Sequence, residues 1–321
     1  MRRFRLRRRR MAAAALAPIA AIFTTTAFAE QAPPTGESAG IDASSRSVPF
    51  GEPVSLHGAF PGAGRAPIQI LHRATGAGAW RTVERARTDA DGGYAVRVKP
   101  RRNGHWRAEL AAATAPEQGV PAGEPVPSSS AVDTGTGSER IDVRSRTTAT
   151  VSDRHTLAGR TVKVRGRVSP AGAERRVVVD IGSDRQVIRA GRDGRFEVRW
   201  KVPDTGSYGI DVEARSNRLA TASRYAAGKL TAYRPAAASW YGPGLYGNPL
   251  ACGGTLTPST MGVAHRTMPC GAKLELRHGG NAVAVRVVDR GPFAGNREFD
   301  LTAATKEALG FGDVGTVLTS K

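Results

Sequence analysis

Asp289 closes a stretch, Ala282 to Arg290, in which Val283, Val285 and Val287 share one face with it at the two-residue period of a strand. An acid at the end of an apolar row belongs at the rim of an interior face. Gly291-Pro292 follows at once and ends the strand, which holds the carboxyl at a turn rather than inside a ladder. A carboxyl partly out of water there is disposed to keep a proton and pass it on, as a general acid must. The same residue types allow a structural carboxylate, paired with Arg290 or Arg266 or capping the turn. His265, next to Arg266, can orient a carboxylate or relay a proton at neutral pH, or serve as a satisfied structural donor. Trp240 and Tyr241 offer apolar ring faces to a sugar or to the packing of their own domain. Phe299-Asp300-Leu301-Thr302 before Ala303 to Leu309 reads as a helix start, with Asp300 or Thr302 capping exposed amides.

Cys252 and Cys270 are the chain's two cysteines, 18 residues apart. Their spacing fits no zinc motif and no nearby His pair completes a tetrahedral site, so a disulfide in an oxidising compartment is the simplest reading. No cofactor fingerprint or metal-ligand set is present.

These residues belong to a longer ordered series. Ala238-Ser239-Trp240-Tyr241-Gly242 is followed by Ala251-Cys252-Gly253-Gly254, by Ala264-His265-Arg266-Thr267-Met268-Pro269-Cys270-Gly271, by Val285 through Asp289-Arg290-Gly291-Pro292-Phe293, and by Phe299-Asp300-Leu301-Thr302. The series resembles the rare lipoprotein A family, whose members carry a double-psi β-barrel and act on bacterial peptidoglycan. The resemblance covers residues 237–321. It implies peptidoglycan glycan strands as substrate and lytic transglycosylation as reaction, with Asp289 as general acid/base and His265 assisting. Trp240, Tyr241 and Arg290 are then the residues expected to meet the glycan.

One position departs from the pattern. The lytic members carry a Glu shortly after the first small-residue motif, where this chain has Gly254. Glycoside hydrolysis normally uses two carboxylates. A lytic transglycosylase needs less, because the sugar's own 6-hydroxyl attacks and one carboxyl acting first as acid and then as base can serve. Glu275 and Glu298 are poor substitutes, Glu275 lying between Lys273 and Arg277 on the face expected to be exposed. With that Glu absent and a cysteine pair present, the block is also similar to expansin and related secreted barrels, which bind and loosen wall polysaccharide without cleaving it. A non-catalytic wall-polysaccharide binder is therefore the alternative.

The elements that carry this block are short strands. The chain has 321 residues with 38 Gly and 20 Pro, a composition of strands and turns rather than long helices. Gly51 to Gly58 aligns with Gly159 to Gly166, and Asp91-Gly92 through Arg97 aligns with Asp193-Gly194 through Arg199, so the middle of the chain is a tandem repeat. Alternation such as Val177, Val179, Ile181 marks half-buried strands and Asp-Gly marks turns. The expected architecture is all-β: two tandem immunoglobulin-like β-sandwiches, 41–113 and 140–233, followed by a double-psi β-barrel at 237–321. Residues 114–138, rich in Pro, Gly and Ser with no Lys or Arg, read as a flexible linker, and Tyr233 to Ala238 as a short hinge.

Residues 1–29 read as a signal peptide: an Arg-rich start, an apolar run from Met11 to Phe23, and Ala27-Phe28-Ala29 ahead of cleavage before Glu30. No later stretch is long and apolar enough to span a bilayer, so the expected location is outside the cytoplasmic membrane or on the cell wall. The net charge is +19, with seven Arg among the first ten residues. Residues 140–236 hold 21 basic against 10 acidic side chains, so the basicity of the remainder sits on the second sandwich. Such a field attracts anionic wall polymers, whereas 40 Arg against 7 Lys also suits a coding bias. No nucleic-acid motif accompanies it, and nucleic acid is not an expected partner.

Overall fold

The computed structural model describes residues 39–111, 135–172 and 175–321. The expected signal segment and almost all of the expected linker lie outside the described residues. No helix among the described residues is long and apolar enough to cross a membrane.

The first body contains β1 (Asp42–Ala43), β2 (Ser47–Pro49), β3 (Val54–Ala59), β4 (Pro67–Ala74), β5 (Arg81–Arg87), β6 (Gly93–Val98), β7 (Gly104–Leu110) and β8 (Glu139–Arg144). They form two sheets, β1-β3-β6 and β2-β8-β7-β4-β5, around one core that includes Leu56, Ile70, Trp106 and Ile141. The second body repeats that order with β9 (Arg146–Val151), β10 (His155–Leu157), β11 (Thr161–Ser169), β12 (Arg176–Ile181), β13 (Asp184–Arg189), β14 (Arg195–Lys201), β15 (Gly206–Ala214) and the first part of β16 (Ser223–Tyr241). Its sheets are β9-β11-β14 and β13-β12-β15-β16, with β10 parallel to β16 as β2 is to β8. The paired Asp-Gly turns have a steric reason. Gly92 and Gly194 adopt φ of +87° and +80°, and a Cβ on either would run into the carbonyl oxygen of Phe60 or Val168.

The sheet pairing moves one expected boundary. Residues 140–144 are expected in the second sandwich, yet β8 pairs with β7 and β2 and buries Ile141 and Val143 in the first core. Residues 135–138, expected in the linker, are also docked: Thr136 donates its amide to the Ala108 carbonyl at 2.9 Å and accepts the Ala108 amide at 3.0 Å.

The carboxy-terminal body is a barrel closed by the remainder of β16, β17 (Val263–Ala264), β18 (Lys273–His278), β19 (Asn281–Asp289), β20 (Phe299–Thr302) and β21 (Val314–Thr319), with one helix, α1 (Ala303–Leu309). The order β16-β20-β17-β19-β18-β21 returns to β16, so no edge remains along this path. The pairs β16/β20 and β17/β19 are parallel. Val285, Val287, Leu276, Phe299 and Leu301 fill the interior. Neither residue expected to cap α1 does so with its side chain. Asp300 accepts the Ser239 hydroxyl instead, and the Thr302 hydroxyl turns to Gly262 and Thr305.

The expected hinge is absent, because β16 runs unbroken for 19 residues from the second body into the barrel. Residues 231–233 pair with β10 and residues 234–239 with β21. Pro235 sits where the strand has β21 as its one partner, a position that tolerates a missing N–H. The alanines around it are small core and surface residues of a strand: Ala236 and Ala238 are buried. Tyr233, also buried, donates its hydroxyl to Glu275 of β18 at 2.6 Å and meets Nδ1 of His155 at 2.8 Å. Burial and then Glu275 push the Tyr233 pKa up to about 12. Glu275, expected on an exposed face, is half-buried by this contact.

Leu276 is fully buried in the barrel interior. Leu276→Ala is expected to lower stability by about 2–5 kcal/mol. In scanning calorimetry this reads as an earlier barrel transition, and an unshifted transition would contradict the closed core.

Candidate active site at one end of the barrel

The valine row of β19 anchors the strand in the barrel core and leaves Asp289, half-buried, at its end. Asp289 Oδ1 accepts two backbone amides, from Ala251 at 2.9 Å and Arg290 at 2.8 Å. Both bonds land on one oxygen. Among the described residues Asp289 forms no ion pair, and the turn-capping alternative describes what Oδ1 does. The Tyr241 hydroxyl is buried without meeting hydrogen-bond geometry to any described group, yet it lies close enough for the Asp289 charge to act on it. Burial first, and then Asp289, push the phenol's pKa up, so it stays protonated.

His265 follows β17, whose Ala264 pairs with Asp289, and the His265 amide donates to the Asp289 carbonyl at 3.2 Å. Its ring Nδ1 accepts the amides of Thr267 at 3.1 Å and Met268 at 2.9 Å. A ring nitrogen accepting two amide protons carries none itself, which assigns the neutral ring's hydrogen to Nε2. Nε2 lies 3.7 Å from Oε1 of Glu298. Glu298 in turn is gripped by both terminal nitrogens of Arg234, at 2.7 and 2.5 Å, and these bonds hold its carboxyl below the usual carboxylate range. Burial lowers the His265 pKa; Glu298 opposes that shift, while the charges of Arg266 and Arg234 add to it.

Two loops hang on the end of β19 and are joined there. Cys252 donates its amide to the Val288 carbonyl at 3.2 Å and Gly271 donates to Val287 at 2.8 Å. The Cys252–Cys270 disulfide, with Cα atoms 5.4 Å apart, ties the loops together. Arg290 donates to the carbonyls of His265 and Met268 at 3.2 and 3.0 Å and to Cys270 Sγ at 3.1 Å. Arg266 reaches the carbonyls of Pro292 and Arg297. Both guanidiniums therefore hold loops, and neither neutralises Asp289. Gly254 has φ +83° with open space where a Cβ would stand, so a Glu there would meet backbone strain rather than a clash.

Asp289, His265, Arg290, Tyr241 and the disulfide thus share one end of the barrel. Trp240 is engaged elsewhere: its indole N–H donates to Asp313 at 2.9 Å and the Lys306 ammonium lies 3.8 Å from the ring centre. A sugar stacking on that ring face would have to displace the ammonium. Glu298, set aside from the sequence as a poor substitute carboxylate, stands beside His265. Its partners Arg234 and His265 are remote in sequence, and no spacing announces them. Among the described residues no group of three or more His, Cys, Asp or Glu is arranged to hold a metal ion.

Residues 235–319 match a family model described as lytic transglycolase. The chain is 41 % identical over 80 residues to the probable endolytic peptidoglycan transglycosylase RlpA of Synechocystis sp., covering 24 % of this chain and 25 % of that protein. It is 35 % identical over 118 residues to the endolytic peptidoglycan transglycosylase RlpA of Pseudomonas aeruginosa, covering 36 % and 33 %. Against the RlpA of Campylobacter jejuni it is 43 % identical over 67 residues, covering 20 % and 24 %. The chain spans between about a quarter and a third of the length of these curated relatives. Among solved structures, the D0-D1 domain of Intimin superposes with a TM-score of 0.22 at 11 % identity, over 60 % of this chain and 97 % of that one, too slight a likeness to bear on the fold.

Two outcomes follow from the geometry. The His265 ring should titrate below the ordinary histidine value of 6.5, and Glu298→Gln should lower its midpoint further by removing the one charge that raises it. Nitrogen-15 NMR of the ring reads both, and a midpoint that rises in the variant would contradict the contact. Stability linked to His265 is fully present above 6.5 and is lost as pH falls through the lowered folded-state value, since the folded ring resists the proton that the unfolded ring accepts. Replacing both cysteines by alanine should cost about 2–4 kcal/mol of stability, measured by denaturant unfolding without reductant.

Proposed function

We propose that residues 235–319, an RlpA-like double-psi β-barrel, cleave peptidoglycan glycan strands by lytic transglycosylation, with Asp289 as general acid and then base. The observation that carries this reading is the Asp289 carboxyl itself. One oxygen is fixed by two amides, no cation pairs with the group among the described residues, and it stands half-buried at the rim of a closed barrel beside a buried phenol.

In its acid form Asp289 gives its proton to the glycosidic oxygen as the bond from that oxygen to C1 breaks. The carboxylate left behind takes the proton of the sugar's own 6-hydroxyl as O6 bonds to C1. The acid is regenerated and the product carries a 1,6-anhydro end. No water is activated, so the second carboxylate of a glycoside hydrolase is not required. His265 assists by position: its amide holds the end of β19, and its ring, braced by two amides and facing Glu298, fixes the loop that Arg290 and the disulfide also grip. On this reading Arg290 shapes the site through the loop, and Tyr241 supplies a buried hydroxyl within reach of the acid's charge.

The amino-terminal segment, read as a signal peptide, would deliver the chain outside the cytoplasmic membrane. The two repeated bodies, read as immunoglobulin-like spacers, would carry the barrel out to its substrate. Gly254 favours the second reading, a wall-polysaccharide binder of the expansin kind, because it brings no carboxylate to the position where lytic members carry Glu.

Mass spectrometry separates the two readings. The full chain incubated with purified peptidoglycan, and with glycan strands stripped of peptides, should yield anhydro-ended fragments. Asp289→Asn should reduce their formation by about 10²–10⁴-fold, the usual contribution of general acid–base catalysis. Sedimentation with the glycan in the absence of any anhydro product would replace the enzyme reading with the binder.

A further inference from the structure

In the second body the outer face of the sheet β9-β11-β14 is a flat field of positive charge. Alternation along β11 and β14 sends Val162, Val164, Phe196 and Val198 into the core and leaves Lys163, Arg165, Arg167, Arg195, Arg199 and Lys201 on the outer face. Arg146 joins them from β9, beside the exposed Thr148 and Thr150. The acid among them is Glu197, which accepts from Arg165 Nε at 2.8 Å and Arg199 Nε at 3.0 Å. Asp193, in the preceding turn, stands 3.4 Å from Arg195. A shallow depression of about 600 Å³ opens between Arg165, Arg167 and Arg195.

The register makes this arrangement costly. Lys163 lies directly across from Arg199 and Arg167 across from Arg195, and like charges in such positions destabilise a sheet. The tandem repeat supplies a control within the same chain. At the equivalent places the first body has Ser55 for Lys163, His57 for Arg165, Ala59 for Arg167, Gly93 for Arg195 and Ala95 for Glu197, whereas Arg97 and Lys99 keep the charges of Arg199 and Lys201. The fold therefore does not need Lys163, Arg165, Arg167 and Arg195, and a coding bias shared by both copies does not account for their presence in one.

We propose that this face docks a polyanionic polymer with a phosphodiester backbone of the polyol-phosphate type. Along β11 the three cations recur about every 6.8 Å, two residues of rise, Glu197 interrupts the row along β14, and neighbouring strands stand about 4.8 Å apart. That is a lattice of charge suited to an extended chain of repeating anions rather than to a single compact ligand. Five of the seven cations are Arg, whose planar fork suits phosphate oxygens. The one aromatic ring near the depression, Phe196, is buried, so the face has no platform for stacking bases and single-stranded nucleic acid is the poorer fit. The proposal is independent of whether the barrel is an enzyme.

Binding of the full chain to poly(glycerol phosphate) tests it, with a single-stranded oligonucleotide and a carboxylate polysaccharide of matched charge as comparison arms. The phosphodiester polyol should bind most tightly, and its affinity should fall steeply with salt. The variant Lys163→Thr/Arg165→Thr/Arg167→Thr should lose about tenfold or more in affinity, and its salt slope should shallow by about two, as expected for three lost contacts to a single-stranded polyanion. A variant removing three cations elsewhere on the body, Arg185→Thr/Arg215→Thr/Arg224→Thr, should bind as the parent does. Arg167→Glu, which converts a repulsive pair with Arg195 into an attractive one, should remain folded by circular dichroism and still bind more weakly. Equal losses in the two triple variants, salt-insensitive binding, preference for the oligonucleotide or carboxylate polymer, or full binding by Arg167→Glu would each overturn the proposal.

Discussion

The structure depends on β16 being one strand with two employments. Its first part closes the second body against β15 and β10, and its second part closes the barrel against β21 and β20. Tyr233 and Arg234 sit at the changeover with opposite duties. The first links His155 of one body to Glu275 of the other, and the second reaches Glu298 and, through it, His265. The environment of the candidate histidine is thus set partly by a residue at the junction of two bodies.

At the barrel end the protein fixes a carboxyl with backbone rather than with charge. Two amides hold Asp289 Oδ1, while the nearby arginines are occupied with carbonyl oxygens and a disulfide sulfur. Arranged this way, the guanidiniums bring rigidity to the loops without an ion pair at the acid. The disulfide, the two β19 carbonyls and Arg290 all converge on the same few residues, so the loops and the strand end form one unit.

Features encoded within a short window could be read from the sequence. Alternation located the strands, Asp-Gly the turns, the valine row the depth of Asp289, and cysteine parity the disulfide. Features decided by distant partners could not. Glu139–Arg144 alternates equally well for either neighbouring body, and only the pairing with β7 and β2 assigns it to the first. Pro235 and its alanines have the composition of a hinge, yet alanine is also the residue that fits a crowded barrel wall. Glu298 read only as a poor substitute carboxylate because Arg234, 64 positions earlier, gives no local sign of its approach. For Trp240 the choice between a sugar and packing stayed open because Lys306, within α1, and Asp313, beyond it, are remote in sequence.

In each repeated body the closing strand runs parallel to a strand from the start of that body, β8 beside β2 and β16 beside β10. Tension drawn along the chain between such strands loads their ladder in shear, where the bonds resist together, instead of peeling them one by one. Because β16 continues into the barrel without a break, a pull on the barrel enters the second body along that same axis. A force applied to the barrel would therefore be shared by the β10 and β15 ladders of the second body at once.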